Sequence, residues 1–209
     1  MLKLDGQFQV NRLKKIIGQS DSTRDVRLSQ RGDLEAFRRL IESHQHYVFS
    51  LAFRLMGDSD DAEDIVQETF VRVWKHIRRF DFRSKFTTWM YRIVVNLCHD
   101  LFKQRRRREQ SMQSHWRTVE GADLETDNVE IVGETKQLAD LVVSLTGHLP
   151  PRQREVFVLR DLQELSVSEV ADILGVSKSA VKANLSYARQ NIRRLMESGQ
   201  TVRRTNHEM

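Results

Sequence analysis

The segment LSVSEVADILGVSKSAVKANLSYARQN, residues 165–191, restricts the fold of this chain more than any other stretch. Ser166 and Glu169 have the spacing of a capping box, which starts a helix. Gly175 favours the end of that helix, because glycine readily adopts a left-handed backbone. Ser177 is then placed to cap a second helix. The segment therefore predicts two helices joined by a tight turn, a helix-turn-helix.

The second of these helices has a basic outer face. Residues 177–196 contain no Asp or Glu, whereas an ordinary surface helix mixes both charges. In a helix-turn-helix the second helix lies in the major groove of DNA, and its first half contacts base edges. A plain helical hairpin with a solvated face is the alternative. The side chains predicted to contact DNA are Lys178, Ser179, Lys182, Ala183, Ser186 and Tyr187, with Arg189 better placed for phosphates.

The remaining sequence predicts an all-α fold. The chain has 2 prolines and 9 glycines in 209 residues, and its apolar residues recur every three to four positions without a convincing strand pattern. This periodicity fails over residues 104–133, which change from basic to polar to acidic, as in a linker. We predict two small helical domains joined by a flexible linker. The predicted segments are an N-terminal extension (1–29, with a short helix pattern over 8–17), a first domain (30–108), a linker (109–133), a second domain (134–198) and a tail (199–209).

Composition limits the partners and the compartment. The formal net charge of +5 favours a polyanionic partner. Cys98 is the only cysteine, which excludes an internal disulfide and a cysteine-based zinc cluster. His99 beside it lacks further ligands at suitable spacing, so no metal or cofactor is expected. The sequence has no secretory signal and no apolar run long enough to span a bilayer, so we expect a cytoplasmic protein without membrane insertion.

Three helices are predicted in the first domain. Asp33 is the expected cap of the first, which ends at Gly57, and the second begins after Asp58. The third covers about residues 87–108. The apolar stripes of these helices are expected to be buried, including Leu34 at the start of the first helix and Phe102 near the end of the third.

The second predicted helix has an acidic ridge. The residues predicted to lie along its outer side are Asp61, Asp64, Gln67 and Glu68. Acidic residues favour the positive end of a helix dipole, which is the simpler explanation. In a basic protein such a ridge can also dock a basic protein surface.

The loop FDFRSKF, residues 80–86, and the helix after it form a second candidate nucleic-acid surface. Aromatic rings beside cations capture single-stranded bases by stacking, which points to Phe80, Phe82 and Lys85. Alternatively, the rings fold back onto the core, most clearly at Phe86. The following helix has one polar row, in which Asn can bond a base edge and the cations can bind phosphates, or which is simply solvated. The row consists of Arg92, Asn96, His99, Lys103 and Arg106.

Three motifs together point to a family. DAEDIVQETFVRVW, FRSKFTTWMYRIVVNLCHD and LPPRQREVFVLRDLQELSVSEVADILGVSKSAVKANLSYAR closely resemble extracytoplasmic-function (group IV) sigma factors of bacterial RNA polymerase. The resemblance covers residues 30–195. It implies a two-domain initiation factor without enzymatic activity. Its first domain (region two) would bind the polymerase clamp and melt the minus-ten element, and its second domain (region four) would read the minus-thirty-five element.

The resemblance also implies roles for individual residues. Asp64, Gln67 and Glu68 match the clamp-binding surface. Phe80 and the loop to Phe86 match the loop that captures a flipped base, and Asn96 matches a position that contacts this base. The residues that match positions facing the minus-thirty-five bases are Lys182, Ala183, Ser186 and Tyr187. Lys182 stands where the family most often has Arg, so it binds as a point charge rather than a planar fork.

Partners and alternatives follow from the same resemblance. The inward face of Leu149, Val156, Phe157 and Leu159 suggests a platform for the polymerase flap, and an anti-sigma factor, which can be membrane-anchored, is the implied regulator. The alternative function is a LuxR-like regulator that binds operators without core polymerase. An enzyme acting on nucleic acid is disfavoured, because the chain lacks a carboxylate cluster, a phosphate loop and a nucleophile arrangement.

Overall fold

The computed structural model describes residues 22–113 and 134–205, and within them it contains eight α-helices and no strand. The all-α prediction is thus confirmed, while the helix pattern over residues 8–17 lies outside the described residues. A 3₁₀ turn, Ile77–Arg79, follows α3, and a π turn, Val158–Leu162, follows α6. The helices are α1 (Ser22–Gln30), α2 (Leu34–Met56), α3 (Ser59–His76), α4 (Phe86–Gln113), α5 (Glu134–Gly147), α6 (Pro151–Phe157), α7 (Val167–Leu174) and α8 (Lys178–Thr205).

The predicted cap of α2 and the predicted start of α3 after Asp58 are confirmed. The Asp33 carboxylate accepts a hydrogen bond from the Ala36 amide at 2.9 Å. The Asp58 carboxylate accepts one from the Asp61 amide at 2.8 Å. Gly57 ends α2 with a φ of 78°, a left-handed conformation. These caps satisfy free backbone groups, which is why short local patterns fixed the helix ends.

Helices α1 to α4 enclose the N-terminal core. Leu40, Leu51, Val73 and Met90 are among its fully buried side chains. Two of the side chains predicted to be buried are not. Leu34 is 67% exposed because it lies in the first turn of α2, ahead of the packed stripe, and Phe102 is 40% exposed where α4 continues beyond the core.

Helices α5 to α8 contain the predicted helix-turn-helix, which is confirmed. The Glu169 amide donates to Ser166 Oγ at 3.2 Å, and the Ser166 amide donates to Glu169 Oε2 at 2.9 Å, which completes the capping box. Gly175 ends α7 with a φ of 64°. The Ala180 amide donates to Ser177 Oγ at 3.2 Å at the start of α8. The two helices therefore meet across a short, well-defined turn.

The N-terminal and C-terminal helices pack against each other. Helix α4 contacts α7, and α2 contacts α5. Arg154 of α6 donates to the Leu55 carbonyl of α2 at 3.0 Å. Helix α1 and the last turn of α4 extend into segments that the sequence analysis assigned to the extension and the linker.

Replacement of Gly175 by Ala should lower the free energy of unfolding by about 1 kcal/mol, because an L side chain is strained in the left-handed region. No heavy atom lies within 4 Å of the added Cβ, so crowding does not contribute. Gly147→Ala is the matched control, since that site is equally open and has no positive φ. Thermal unfolding measures both variants, and equal destabilisation of the two would contradict the assignment.

Candidate nucleic-acid and protein interfaces

The outer face of α8 is exposed in the part of the chain that the structure describes. Val181, Leu185 and Ala188 point into the core, and their burial fixes the rotation of the helix. Tyr187 is 59% exposed on the opposite side. The predicted base-contacting side chains all lie exposed on that side: Lys178, Ser179, Lys182, Ala183, Ser186 and Tyr187.

Arg189 differs from the other predicted residues of α8. Its Nε and Nη2 donate to the two carboxylate oxygens of Asp161 at 2.8 and 2.7 Å. The hydrogen bond to Asp161 raises the pKa of Arg189. The guanidinium is exposed, and Asp161 engages two of its five N–H donors, which leaves the others for a phosphate.

The aromatic loop presents one of its three rings. Phe80 and Phe86 are buried, and the Phe80 ring lies 5.3 Å from that of Trp89, centroid to centroid. The alternative that rings fold onto the core therefore holds for both. Phe82 is 38% exposed and has a φ of 61°. In this arrangement Phe82 is the ring that an unpaired base could reach.

The predicted polar row of α4 forms one face of that helix. Asn96 and Lys103 are exposed, and His99 is half-buried. Arg106, the last member, is also exposed. Met90, Val94 and other apolar residues on the opposite face are buried and orient the helix.

Three side chains predicted to bind DNA instead contact the C-terminal helices. Burial alone would raise the pKa of Glu169, but hydrogen bonds from Lys85 and Ser166 outweigh it and lower this pKa. The α4 face and its loop thus lie against a partly acidic surface. The contacts are Lys85 Nζ with Glu169 Oε1 at 2.9 Å, Arg92 Nη2 with the Asp172 carbonyl at 2.7 Å, and His99 Nε2 with Glu155 Oε1 at 2.6 Å.

The acidic ridge of α3 is only partly available. Asp64 and Gln67 are exposed, while Glu68 accepts a hydrogen bond from Arg72 at 2.9 Å. The prediction that Asp61 lies outside is wrong. Its side chain is 12% exposed and pairs with Arg105 of α4, and burial raises its pKa in spite of that partner.

Residues 22–113 and 134–205 contain no candidate metal site and no candidate membrane-spanning helix. No group of three or more His, Cys, Asp or Glu side chains there could hold a metal ion. Cys98 is buried, and burial raises its pKa to about 12, so its thiol is protonated at neutral pH. None of the helices described is both long and apolar enough to cross a bilayer.

Comparisons with known proteins agree with this geometry. The family model of sigma-70 region 2 matches residues 40–108, and that of sigma-70 region 4 matches residues 139–192. The ECF RNA polymerase sigma factor SigW of Bacillus subtilis is 31% identical over 180 residues, covering 81% of this chain and 93% of SigW. The ECF RNA polymerase sigma-E factor of Escherichia coli is 33% identical over 168 residues, covering 78% and 87% of the two chains.

Solved structures show the same fold. CnrH, solved in complex with the cytosolic domain of CnrY, has a TM-score of 0.63 and 26% identity and covers 85% of this chain and 99% of CnrH. RpoE of Bartonella quintana, solved with the anti-sigma factor NepR, has a TM-score of 0.60 and 23% identity, covers 77% and 96% of the two chains, and supports the fold alone.

Replacing Glu155 and Glu169 together by Gln should loosen the packing of the N-terminal helices on the C-terminal helices. The closed arrangement, in which the N-terminal and C-terminal helices pack against each other, should become about fivefold less favoured, since a partly exposed ion pair such as Lys85–Glu169 contributes up to about 1 kcal/mol. Gln at position 169 still fits a capping box, so α7 should remain folded. Small-angle X-ray scattering should show a larger radius of gyration.

The control for this experiment is Asp60→Asn with Glu63→Gln. It makes the same change in net charge at two exposed residues of α3. A radius of gyration that increases equally in both double variants, or in neither, would contradict the role of the interdomain pairs.

Proposed function

This chain belongs to the extracytoplasmic-function (ECF) sigma factors of the sigma-70 family, and we propose that it works as an alternative sigma factor without enzymatic activity. It binds core RNA polymerase and directs initiation at specific promoters. The observation that carries this proposal is that each matched region exposes a polar face of its own, one on α8 and one on the loop and polar row of α4. A LuxR-like regulator has no such second surface, and that alternative receives no support.

The minus-thirty-five element is the proposed target of α8. Lys182, Ala183, Ser186 and Tyr187 face the base edges, with Lys178 and Ser179 at the entrance to the groove. Their common exposure and the burial of the opposite face support this assignment. Lys182 donates to an acceptor such as a guanine oxygen from one point rather than through a fork. Arg189 would reach a phosphate with the N–H donors that Asp161 does not engage.

The minus-ten element is the proposed target of the loop and α4. Extrusion of a base costs a few kcal/mol of unpairing, which stacking and hydrogen bonds to the base recover. Phe82 offers an exposed ring and Asn96 an exposed amide. Phe80 supports Phe82 from beneath, with 4.9 Å between the ring centroids. Four polar or cationic side chains are assigned to the phosphate backbone of the DNA strand that carries this base: Lys85, Arg92, His99 and Lys103.

Core polymerase is proposed to bind two places. Asp64 and Gln67, the freely exposed members of the acidic ridge, dock the clamp, with Glu68 beside them and Asp61 confined to a structural pair. A shallow cavity of about 310 Å³ lined by Phe157, Ile192 and Met196 is the proposed seat of the flap. Its apolar floor and its charged rim of Arg189, Arg193 and Glu197 suit a segment of mixed apolar and charged character.

The closed arrangement fits regulation by an anti-sigma factor. Lys85, Arg92 and His99 are engaged by the C-terminal helices, so promoter binding requires the two units to separate. The structurally similar CnrH was solved with the cytosolic domain of CnrY. We propose that a comparable partner, which can be membrane-anchored, stabilises the closed form in the bacterial cytoplasm. The proposed domains remain 30–108 and 134–198, joined by residues 109–133, with α1 added to the first.

In vitro transcription tests the function. Purified core polymerase with this chain should give promoter-dependent run-off transcripts from fragments of the source genome, and core alone should give none. Operator binding by the isolated chain together with no initiation on any fragment would favour the regulator instead.

Asn96→Ala should reduce promoter opening about tenfold, because it removes hydrogen bonds to the captured base. Permanganate reactivity of unpaired thymines measures the opening. Gln104→Ala, which also removes an exposed amide from α4, is the control and should leave opening unchanged. Loss of core binding by Asn96→Ala would contradict the assigned role.

Asp64→Ala combined with Gln67→Ala should weaken association with core polymerase about fivefold or more, the effect of losing about 1 kcal/mol at an interface. Fluorescence anisotropy of labelled chain against core measures the dissociation constant. Glu42→Ala, at an exposed position of α2, makes the same change in net charge and serves as the control. An equal loss in both variants would mean that general charge, rather than the ridge, drives binding.

A further inference from the structure

Helix α1 lies outside the segments matched by the family models and borders the aromatic loop. It is firmly attached to the N-terminal core. Val26 is fully buried, and Asp25 accepts hydrogen bonds from Nη2 and Nε of Arg39 at 2.6 and 3.1 Å. The position of α1 relative to α2 is therefore fixed. Side chains near the C-terminal end of α1 can in turn hold the aromatic loop in place.

Gln30, the last residue of α1, holds the backbone where the chain enters the loop. Its Nε2 donates to the Ile77 carbonyl at 2.9 Å and to the Phe80 carbonyl at 2.8 Å. Both amide hydrogens are thus used, one at each end of the 3₁₀ turn. The Ile77 carbonyl also accepts from the Phe80 amide at 3.1 Å. Gln30, about fifty positions earlier in the chain, therefore sets the direction in which the backbone leaves the 3₁₀ turn.

Arg27, one turn before Gln30, holds the exposed ring. Its guanidinium carbon lies 5.3 Å from the centroid of the Phe82 ring, a cation–π contact. Phe82 has a positive φ, which is rare for a bulky side chain and persists only where the surroundings enforce it. The Phe80 ring and a hydrogen bond from the Arg83 amide to Asp81 Oδ1 at 3.1 Å provide the other restraints.

We propose that α1 is a working part of the minus-ten recognition surface, with Gln30 and Arg27 as positioning residues that hold Phe82 outward for an unpaired base. This inference rests on the proposed function. A loop already held in its binding conformation has less freedom to lose when a base stacks on it, so the complex lives longer. Neither residue needs to contact the base.

The test uses full-length protein, core polymerase and a promoter fragment from the run-off assay in which the minus-ten region is already opened by mismatches. Arg27→Gln should shorten the half-life of the open complex about threefold, and Arg27→Lys, which keeps the cation, should restore most of it. Gln30→Met, which keeps the volume but loses both donors, should shorten it about tenfold. Arg24→Gln is the matched control, with the same charge change on the same helix.

A second readout separates positioning from general stability. In the free protein, Gln30→Met should speed hydrogen exchange at the amides of residues 80–84, while core binding and the melting temperature of Arg27→Gln stay as in the unaltered chain. Arg27 is exposed, so its variants fold even if Gln30→Met does not.

Two outcomes would overturn the inference. In the first, the unaltered chain forms open complexes, and the half-lives with Arg27→Gln and Gln30→Met equal the half-life with the control Arg24→Gln. The other is unchanged exchange at residues 80–84 in folded Gln30→Met. If the unaltered chain itself never initiates, the proposed function fails, and the exchange experiment still decides whether α1 holds the loop.

Discussion

Polar contacts between the α4 face with its loop and the C-terminal helices are the interaction on which the closed arrangement of this molecule depends. Lys85 forms an ion pair with Glu169, His99 shares a hydrogen bond with Glu155, and α4 packs against α7. Carboxylates and phosphates offer similar oxygens to a cation. The C-terminal helices therefore occupy the side chains with groups that resemble the ones they are proposed to bind in DNA. Binding of these side chains to oxygen atoms is thus proposed both for DNA recognition and for the closed arrangement of the protein.

Local patterns predicted what local physics controls. The caps at Asp33, Ser166 and Gly175 are confirmed because each satisfies backbone groups only a few residues away. The rotation of α8 followed from its apolar stripe for the same reason. Asp61 was misplaced because its partner, Arg105, comes from another helix. No spacing within α3 contains that information.

The candidate site was less predictable wherever it depends on packing between distant segments. The sequence marks three phenylalanines in one loop, but only the assembled core shows that Phe80 and Phe86 are covered and Phe82 is presented. The contribution of α1 could not be read from periodicity either, since it rests on Gln30 reaching two carbonyls across the fold. Propensities describe how helices form, and tertiary contacts decide which polar groups are left for function.

The ion pair between Lys85 and Glu169 affects how this protein responds to ionic strength. Added salt weakens binding to DNA by reducing the gain from counterion release. It also screens the attraction between Lys85 and Glu169, which is largely exposed on the lysine side, and so favours the open form. The two effects have opposite signs for promoter binding. The affinity of the free chain for DNA should consequently fall less steeply with salt than its number of phosphate contacts implies.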